Sequence, residues 1–509
     1  MPDQSGDPPA QIKYDLLSPS FFADPHALFR RLRAEEPIHW HPQLNFWLLT
    51  RYEDIQTISR DPRFSAERTA QFGTGVSEAM VPKLEACLHF VSHWMVFRDP
   101  PRHTVLRGLV AKAFTPQVIE GLRPAIKGIV DEMLTTVETG GQMDIVRDLA
   151  FPLPAMVIAT MLGVPRKDMD AFKAWTSDVF TLLGAGVATD DAVEAGHRGV
   201  VGLQQFFQHL IAERRHTPTD DLLSRLITVE EQGTVLSEEE LVSTCALLLV
   251  AGHETTTHLI GNSVLALLRN PVELQKLRED PGLIEGAVEE FLRYEGPIYM
   301  LSRRATEDVE VGAVKVRANE IVVGLIHAGN RDPAVFEDPD RLDVTRKGAR
   351  NLAFGHGIHY CIGAALARLE AQVALSAIIT RLPELRLSSE VLEWIPSIVV
   401  HGLAALPVKF GHGPAQGLPS EDSSGWEGPV GLRGPLSLRF PVSVPAVSHE
   451  HAPASYLTRG SHYSCSRIRS AITGKMVLSS GMSKTNGRGP TTSGTDTNSP
   501  VTSFCCESR

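Results

Sequence analysis

The chain has 509 residues, 43% of them hydrophobic, enough to enclose a large core and a buried cofactor. A formal net charge of −11, with no Lys/Arg-dense run and no interleaving of basic and aromatic residues, excludes a general nucleic-acid binder. Six cysteines without regular spacing make no disulfide framework, which suits a reducing, cytoplasmic setting.

Residues 1–11 are polar and proline-bearing and read as a flexible N-terminus, with neither a signal peptide nor a membrane anchor. Residues 12–410 read as one mainly helical domain, with amphipathic segments predicting helices over 25–36, 103–113, 117–138, 154–162, 167–182 and 192–215. Ser237-Glu238-Glu239-Glu240 is a capping-box signature. The helix it opens meets no proline before Pro271, which predicts a central rod about 50 Å long. Its most apolar stretch, Cys245 to Ala251, falls far short of the roughly 20 residues a membrane span needs. Helices follow over 283–294 and 363–382, and alternation predicts strands at 46–50, 309–316 and 320–325, a small sheet beside the helical mass. Residues 411–509 are rich in Gly, Ser, Pro and Thr and read as a disordered tail; its Cys465, Cys505 and Cys506 lack metal-ligand spacing.

The segment Phe354-Gly355-His356-Gly357-Ile358-His359-Tyr360-Cys361-Ile362-Gly363 precedes a strong helical pattern. Gly355 and Gly357 let the backbone turn tightly beneath a flat ligand, and a helix start supplies N–H groups that favour a thiolate at Cys361. Two other readings stand beside this one. Cys361 can be a small packing residue, or it can join His356 and His359 in a zinc cluster, for which no fourth ligand is in sight. Inside the long helix, Ala251-Gly252-His253-Glu254-Thr255-Thr256-Thr257 lowers helix propensity, a cost a helix accepts where a ligand approaches its backbone. Glu290 and Arg293, at i and i+3 on one helix face, would by themselves make an ion pair worth about 0.3–0.5 kcal/mol.

Phe354 to Gly363 resembles the haem-binding loop of the cytochrome P450 superfamily, Phe-Gly-x-Gly-x-His/Arg-x-Cys-x-Gly, at every fixed position. The likeness extends over about residues 12–410 and is to the soluble bacterial class of haem-thiolate monooxygenases. It implies a mainly α fold with a minor β part, in which a long central helix lies over a buried haem and small β-sheets sit at one side. It implies haem b with Cys361 as axial iron ligand. Phe354, Gly355, Gly363 and Ala251 would then lie against the ring, and Glu254 and Thr255 would be the acid–alcohol pair that delivers protons to dioxygen. His103, Arg107, Arg303 and His359 match positions that hold the haem propionates, although Arg304 competes with Arg303 for the inward place. Glu290 and Arg293 match a structural network completed by Arg341 of Phe336-Glu337-Asp338-Pro339-Asp340-Arg341.

The resemblance also implies electrons from NAD(P)H through a separate ferredoxin and ferredoxin reductase, since the chain carries no flavin or iron–sulfur motif. Arg346, Lys347 and Arg350 are candidates for the ferredoxin's dock. The expected substrate is a lipophilic small molecule, hydroxylated or epoxidised by a cytoplasmic monomer, with secondary metabolites such as polyketides and macrolides foremost. The specificity segments would be the loop from Thr69 to Arg98, the helix pair around 167–207, Leu247 to Ala251, Ile298 to Leu301 and the surroundings of Ile398. A peroxide-driven peroxygenase and a non-catalytic haem sensor are the rival readings; neither needs the Glu254-Thr255 pair.

Overall fold

The amphipathic segments fold as helices in the computed structural model, which describes residues 13–69, 76–184, 188–231, 236–348 and 350–411. The expected flexible N-terminus, 1–11, and all but the first residue of the expected tail lie outside them. The first half of the chain supplies α1 (Pro19–Ala23), α2 (Pro25–Glu35), α3 (Tyr52–Arg60), α4 (Val81–Ser92), α5 (Arg102–Ala111), α6 (Pro116–Gly121), α7 (Arg123–Val137), α8 (Pro152–Met161), α9 (Met169–Gly184) and α10 (Asp190–His216). The second half adds α11 (Leu222–Glu231), α12 (Glu238–Arg269), α13 (Pro271–Glu279), α14 (Ile284–Glu295), α15 (Ile326–Gly329) and α16 (Ala364–Arg381).

Three expectations change. The helix predicted over 117–138 is two helices, because Pro124 lacks the N–H that would continue α6 and fits the first turn of α7. The stretch 309–316 is a hairpin of two strands turning at Gly312, whose φ of +56° suits glycine. The expected loop from Thr69 to Arg98 contains a helix, α4, which buries Leu84, Cys87, Leu88, Phe90 and Val91.

The β part is small. Strands β1 (Ile38–His41), β2 (Phe46–Leu49), β3 (Phe64–Ser65), β4 (Gln142–Asp144), β5 (Met300–Ala305), β6 (Val309–Val311), β7 (Val314–Val316), β8 (Ile321–Leu325), β9 (Arg386–Leu387) and β10 (Pro407–Lys409) form three sheets. The largest runs β1-β2-β8-β5-β3, with β2 and β8 parallel and the other pairs antiparallel.

Helix α12 is the axis of the core. Its capping box is complete: Ser237 Oγ accepts from the Glu240 N–H, and the Glu240 carboxylate accepts from the Ser237 N–H. Its 32 residues span about 48 Å. Leu241, Val242 and residues 245–250 belong to an apolar cluster shared with α4, α9, α10 and α11. Leu259, Ile260 and residues 264–267 belong to a second cluster, shared with α7, α14 and α16. The polar stretch His253–His258 lies between the two and belongs to neither.

Candidate active site

Cys361 is placed by backbone geometry. Gly355 and Gly357 adopt φ of +69° and +70°, a region that costs other residues free energy. A Cβ on Gly357 would stand 2.6 Å from the Ser59 carbonyl oxygen, so α3 leaves room for glycine alone. The Cys361 N–H donates to the Phe354 carbonyl at 2.9 Å, closing the loop just before α16 begins at Ala364. Arg368 of α16 lies 4.5 Å over the Phe354 ring, pairs with Glu289 of α14 and donates to Tyr360 Oη at 3.2 Å. The Cys361 side chain is accessible, yet it lies inside the fold: burial pushes its thiol up, against the Gly363 and Ala364 N–H groups and Arg107, which pull it down.

Beside this loop stands a cluster of cationic and imidazole groups. His103 is buried and its ring lies 4.1 Å from that of His359. Both Nε2 atoms, and Arg98 Nε, are buried without a hydrogen-bond partner. Burial, followed by Arg303, His103, Arg68 and Arg107, drives the His359 imidazole down to about 2. On β5 the strand alternation decides between the adjacent arginines. Arg303 is buried beside Arg68, whereas Arg304 turns out to bond the Glu67 carbonyl and Asn319. Arg107, one turn after His103 on α5, gives an Nη2 hydrogen bond of 2.7 Å to the Tyr360 carbonyl and ties α5 to the cysteine loop. Arg68 was invisible in the sequence. It is buried, bonds Ser302 Oγ and the Ala66 and Val96 carbonyls, and is brought down to about 9 by burial and Arg303. So much unpaired positive potential fits a buried dianion such as the two propionates of haem.

The middle of α12 carries the other half of the site. From Glu240 to Leu267 the helix is buried, except at Ala251, which is exposed, and at Gly252 and Thr255, which are partly so. These three positions, i, i+1 and i+4, share one face and form an accessible stripe without bulky side chains. The helix stays continuous there, since Thr255 Oγ1 donates to the Ala251 carbonyl at 2.9 Å and Thr257 Oγ1 to the His253 carbonyl at 3.0 Å. Glu254 points elsewhere. Its carboxylate accepts from Ser177 Oγ of α9 at 3.2 Å and lies 3.4 Å from His258 Nε2. Burial alone would raise this carboxyl, but His258, His253 and Ser177 outweigh it and hold it at about 2. Glu370 of α16 is buried near Thr256, whose Oγ1 donates to the Gly252 carbonyl, and burial keeps the Glu370 carboxyl well above the usual carboxylate range. The sequence signalled neither Ser177, His258 nor Glu370, because none lies in a motif with Thr255.

The supporting network departs from expectation at one residue. Glu290 and Arg293, both buried, form a bidentate pair with two 2.7 Å bonds, and Arg293 also donates to the carbonyls of Asn330, Pro339 and Arg341. The arginine that completes the network is Arg346, with Nε 3.1 Å from Glu290. The Arg341 side chain is exposed and pairs with Asp343, so Arg341 contributes its carbonyl alone. Arg346 is correspondingly withdrawn from the expected docking patch, while Lys347 and Arg350 remain on the surface.

A profile of the cytochrome P450 family matches residues 75–387. The chain is 42% identical over 419 residues to cytochrome P450 107B1 of Saccharopolyspora erythraea, covering 80% of this chain and 99% of that one. It is 41% identical over 406 residues to vitamin D(3) 25-hydroxylase of Pseudonocardia autotrophica, with 78% and 97% covered. The solved structure of PksS, a polyketide-biosynthesis cytochrome P450 of Bacillus subtilis, superposes with a TM-score of 0.70 at 35% identity, covering 78% of this chain and 99% of that one. The fold and site thus define a haem-thiolate oxidoreductase, and the chain belongs to the cytochrome P450 family. It is a monooxygenase that uses haem b and takes electrons from separate redox partners. No described helix is long and apolar enough to cross a membrane.

Proposed function

We propose that Cys361 is the axial iron ligand of the haem, that His103, Arg107, Arg303 and His359, joined by Arg68, hold its propionates, and that the substrate is a lipophilic polyketide- or macrolide-like molecule. The observation that carries the first part is the accessible Cys361 at the start of α16 together with an accessible Ala251–Thr255 stripe on the α12 that α16 packs against. The substrate class rests on the likeness to PksS and on apolar Leu247 and Leu248 leading into that stripe.

Haem, when bound, supplies the iron at which dioxygen is reduced and from which one oxygen atom passes into a C–H or C=C bond. The Cys361 thiolate, eased by the Gly363 and Ala364 N–H groups, donates electron density from its side. Phe354, Gly355 and Gly363 would hold the haem beside Cys361, and the small Ala251 side chain would leave room for it against α12. Thr255 Oγ1 holds a proton on the accessible stripe. Glu254 would link that hydroxyl to solvent through water, taking up and passing on solvent protons when its carboxylate turns from Ser177 and His258. Electrons come from NAD(P)H through a ferredoxin and its reductase in the cytoplasm, with the protein a monomer. Exposed Lys347 and Arg350 offer the ferredoxin a basic docking face.

The reduced, CO-bound protein will show the strongly red-shifted Soret band of thiolate ligation, and Cys361→Ala will abolish it. Retention of that band in the variant overturns the assignment of Cys361. In a panel of lipophilic compounds, polyketide lactones will give the largest low-to-high spin shifts. A larger response to fatty acids or steroids overturns the substrate class while leaving the ligand intact.

A further inference from the structure

Away from the cysteine loop, the last turn of α4 and the first turn of α12 bring two histidines and a glutamate together. His89 and His93 are i and i+4 on α4, so both rings lie on one helix face, with centroids 5.0 Å apart. Glu239 stands opposite them at the start of α12. His89 Nε2 is 2.6 Å from Glu239 Oε1, and His93 Nε2 is 3.8 Å from Glu239 Oε2. One ligand atom from each of the three falls within 4.8 Å of the others. Among the described residues this is the one such group of His, Cys, Asp and Glu. We propose that His89, His93 and Glu239 form a binding site for a divalent transition-metal ion of the zinc class, with solvent completing the coordination.

Three features favour a metal over a simple ion pair. First, His93 Nδ1 lies 3.0 Å from the His89 carbonyl, which can only accept, so the proton is on Nδ1 and the Nε2 lone pair faces Glu239. A backbone carbonyl fixing the tautomer in this way is the usual support of a ligating histidine. Second, the two helices are already locked side by side. Ser243 Oγ of α12 donates to the Phe90 carbonyl of α4 at 2.9 Å. Tetrahedral ligands 2.0–2.1 Å from zinc are about 3.3 Å apart, so the three atoms need to move only by roughly 1 Å. Third, the ligand set is two imidazoles and one carboxylate, with the histidines spaced by one helical turn. That combination suits Zn²⁺, Ni²⁺ or Cu²⁺ and not the all-oxygen preference of Ca²⁺ or Mg²⁺. Glu238, paired with Arg215 at 3.9 Å, adds negative charge in the same turn, while the positive charge of Arg98 near His93 opposes a cation. A bound ion staples α4 to α12, upstream of the segment from Trp94 to Arg98 that leads into His103.

The test is a calorimetric titration of the full-length, haem-loaded protein with zinc chloride, repeated with nickel chloride. The wild type will bind through this site, His89→Ala and Glu239→Gln will each weaken it at least about ten-fold, and the His89→Ala/His93→Ala double variant will lose it. His89 and Glu239 are largely exposed, so these variants will keep their haem spectrum and unfolding temperature without metal. His209, exposed on α10, serves as the control, and His209→Ala will titrate as the wild type does. An isotherm unchanged in the double variant, whether it shows no heat or binding at other histidines and cysteines, overturns the site. So does binding lost equally in His209→Ala.

Discussion

The loop that ends at Cys361 and the middle of α12, which serve one reaction in the proposed function, are held by different means. The loop is held by its backbone, through two glycines at positive φ, one of them against the Ser59 carbonyl, and the Cys361 N–H on the Phe354 carbonyl. The α12 segment is held by a few side-chain hydrogen bonds, with Glu254 on Ser177 and beside His258 and Thr255 on the Ala251 carbonyl. A metal ligand must return to one place on every turnover, which steric and covalent constraints secure. A proton carrier must move, which a few hydrogen bonds worth about 1 kcal/mol each allow.

Removing the charge behind the loop is the most severe way to break this contrast. Arg293→Ala leaves Glu290 buried with Arg346 alone and will lower unfolding free energy by about 3–5 kcal/mol, with loss of haem retention. Arg341→Ala, whose side chain is exposed, will change it by less than about 0.5 kcal/mol. Urea titrations of the two that coincide would restore Arg341 to the network. Gly357→Ala adds left-handed strain and a 2.6 Å clash, and will cost about 2–4 kcal/mol in the same assay.

The side-chain half responds to pH. Burial, with His258 and Lys173, brings His253 down to about 4 from an ordinary 6.5, so the unfolded chain takes up a proton that the folded one refuses. Its contribution is complete above pH 6.5 and is lost as the pH falls toward 4, roughly 2 kcal/mol by pH 5. Glu254, held at about 2, adds a further loss between its ordinary 4.5 and 2. A urea midpoint that stays level from pH 7 to pH 5 would show that His253 is not kept neutral. Thr255→Ala is the mildest change to the fold, under about 1 kcal/mol, because a partly exposed hydroxyl bonded to its own helix is lost. Its effect will be on coupling, with less product and more peroxide per NAD(P)H consumed. Unchanged coupling would remove Thr255 from proton delivery.

The parts legible in advance were those coded by neighbours in the chain. The capping box of α12, the glycine loop before α16 and the Glu290–Arg293 spacing each lie within a few residues, and each adopts the local geometry its spacing demands. The break after α6 was missed although Pro124 marks it, and α4 was read as a loop because its short helix is apolar on more than one face. Arg68 and Ser177 carry no local signal, since their partners are 234 and 77 residues away.

By itself the sequence determined the family and the long helix, because these depend on short-range rules of turns, caps and periodicity. The tertiary structure alone decided that Arg303 and not Arg304 turns inward, that Arg346 and not Arg341 completes the pair at Glu290, and that Glu254 rests on His258 and Ser177. It also brought His89 and His93 to Glu239, 150 residues along the chain from His89. Each of these choices is set by which element packs alongside, and packing is a property of the whole folded chain.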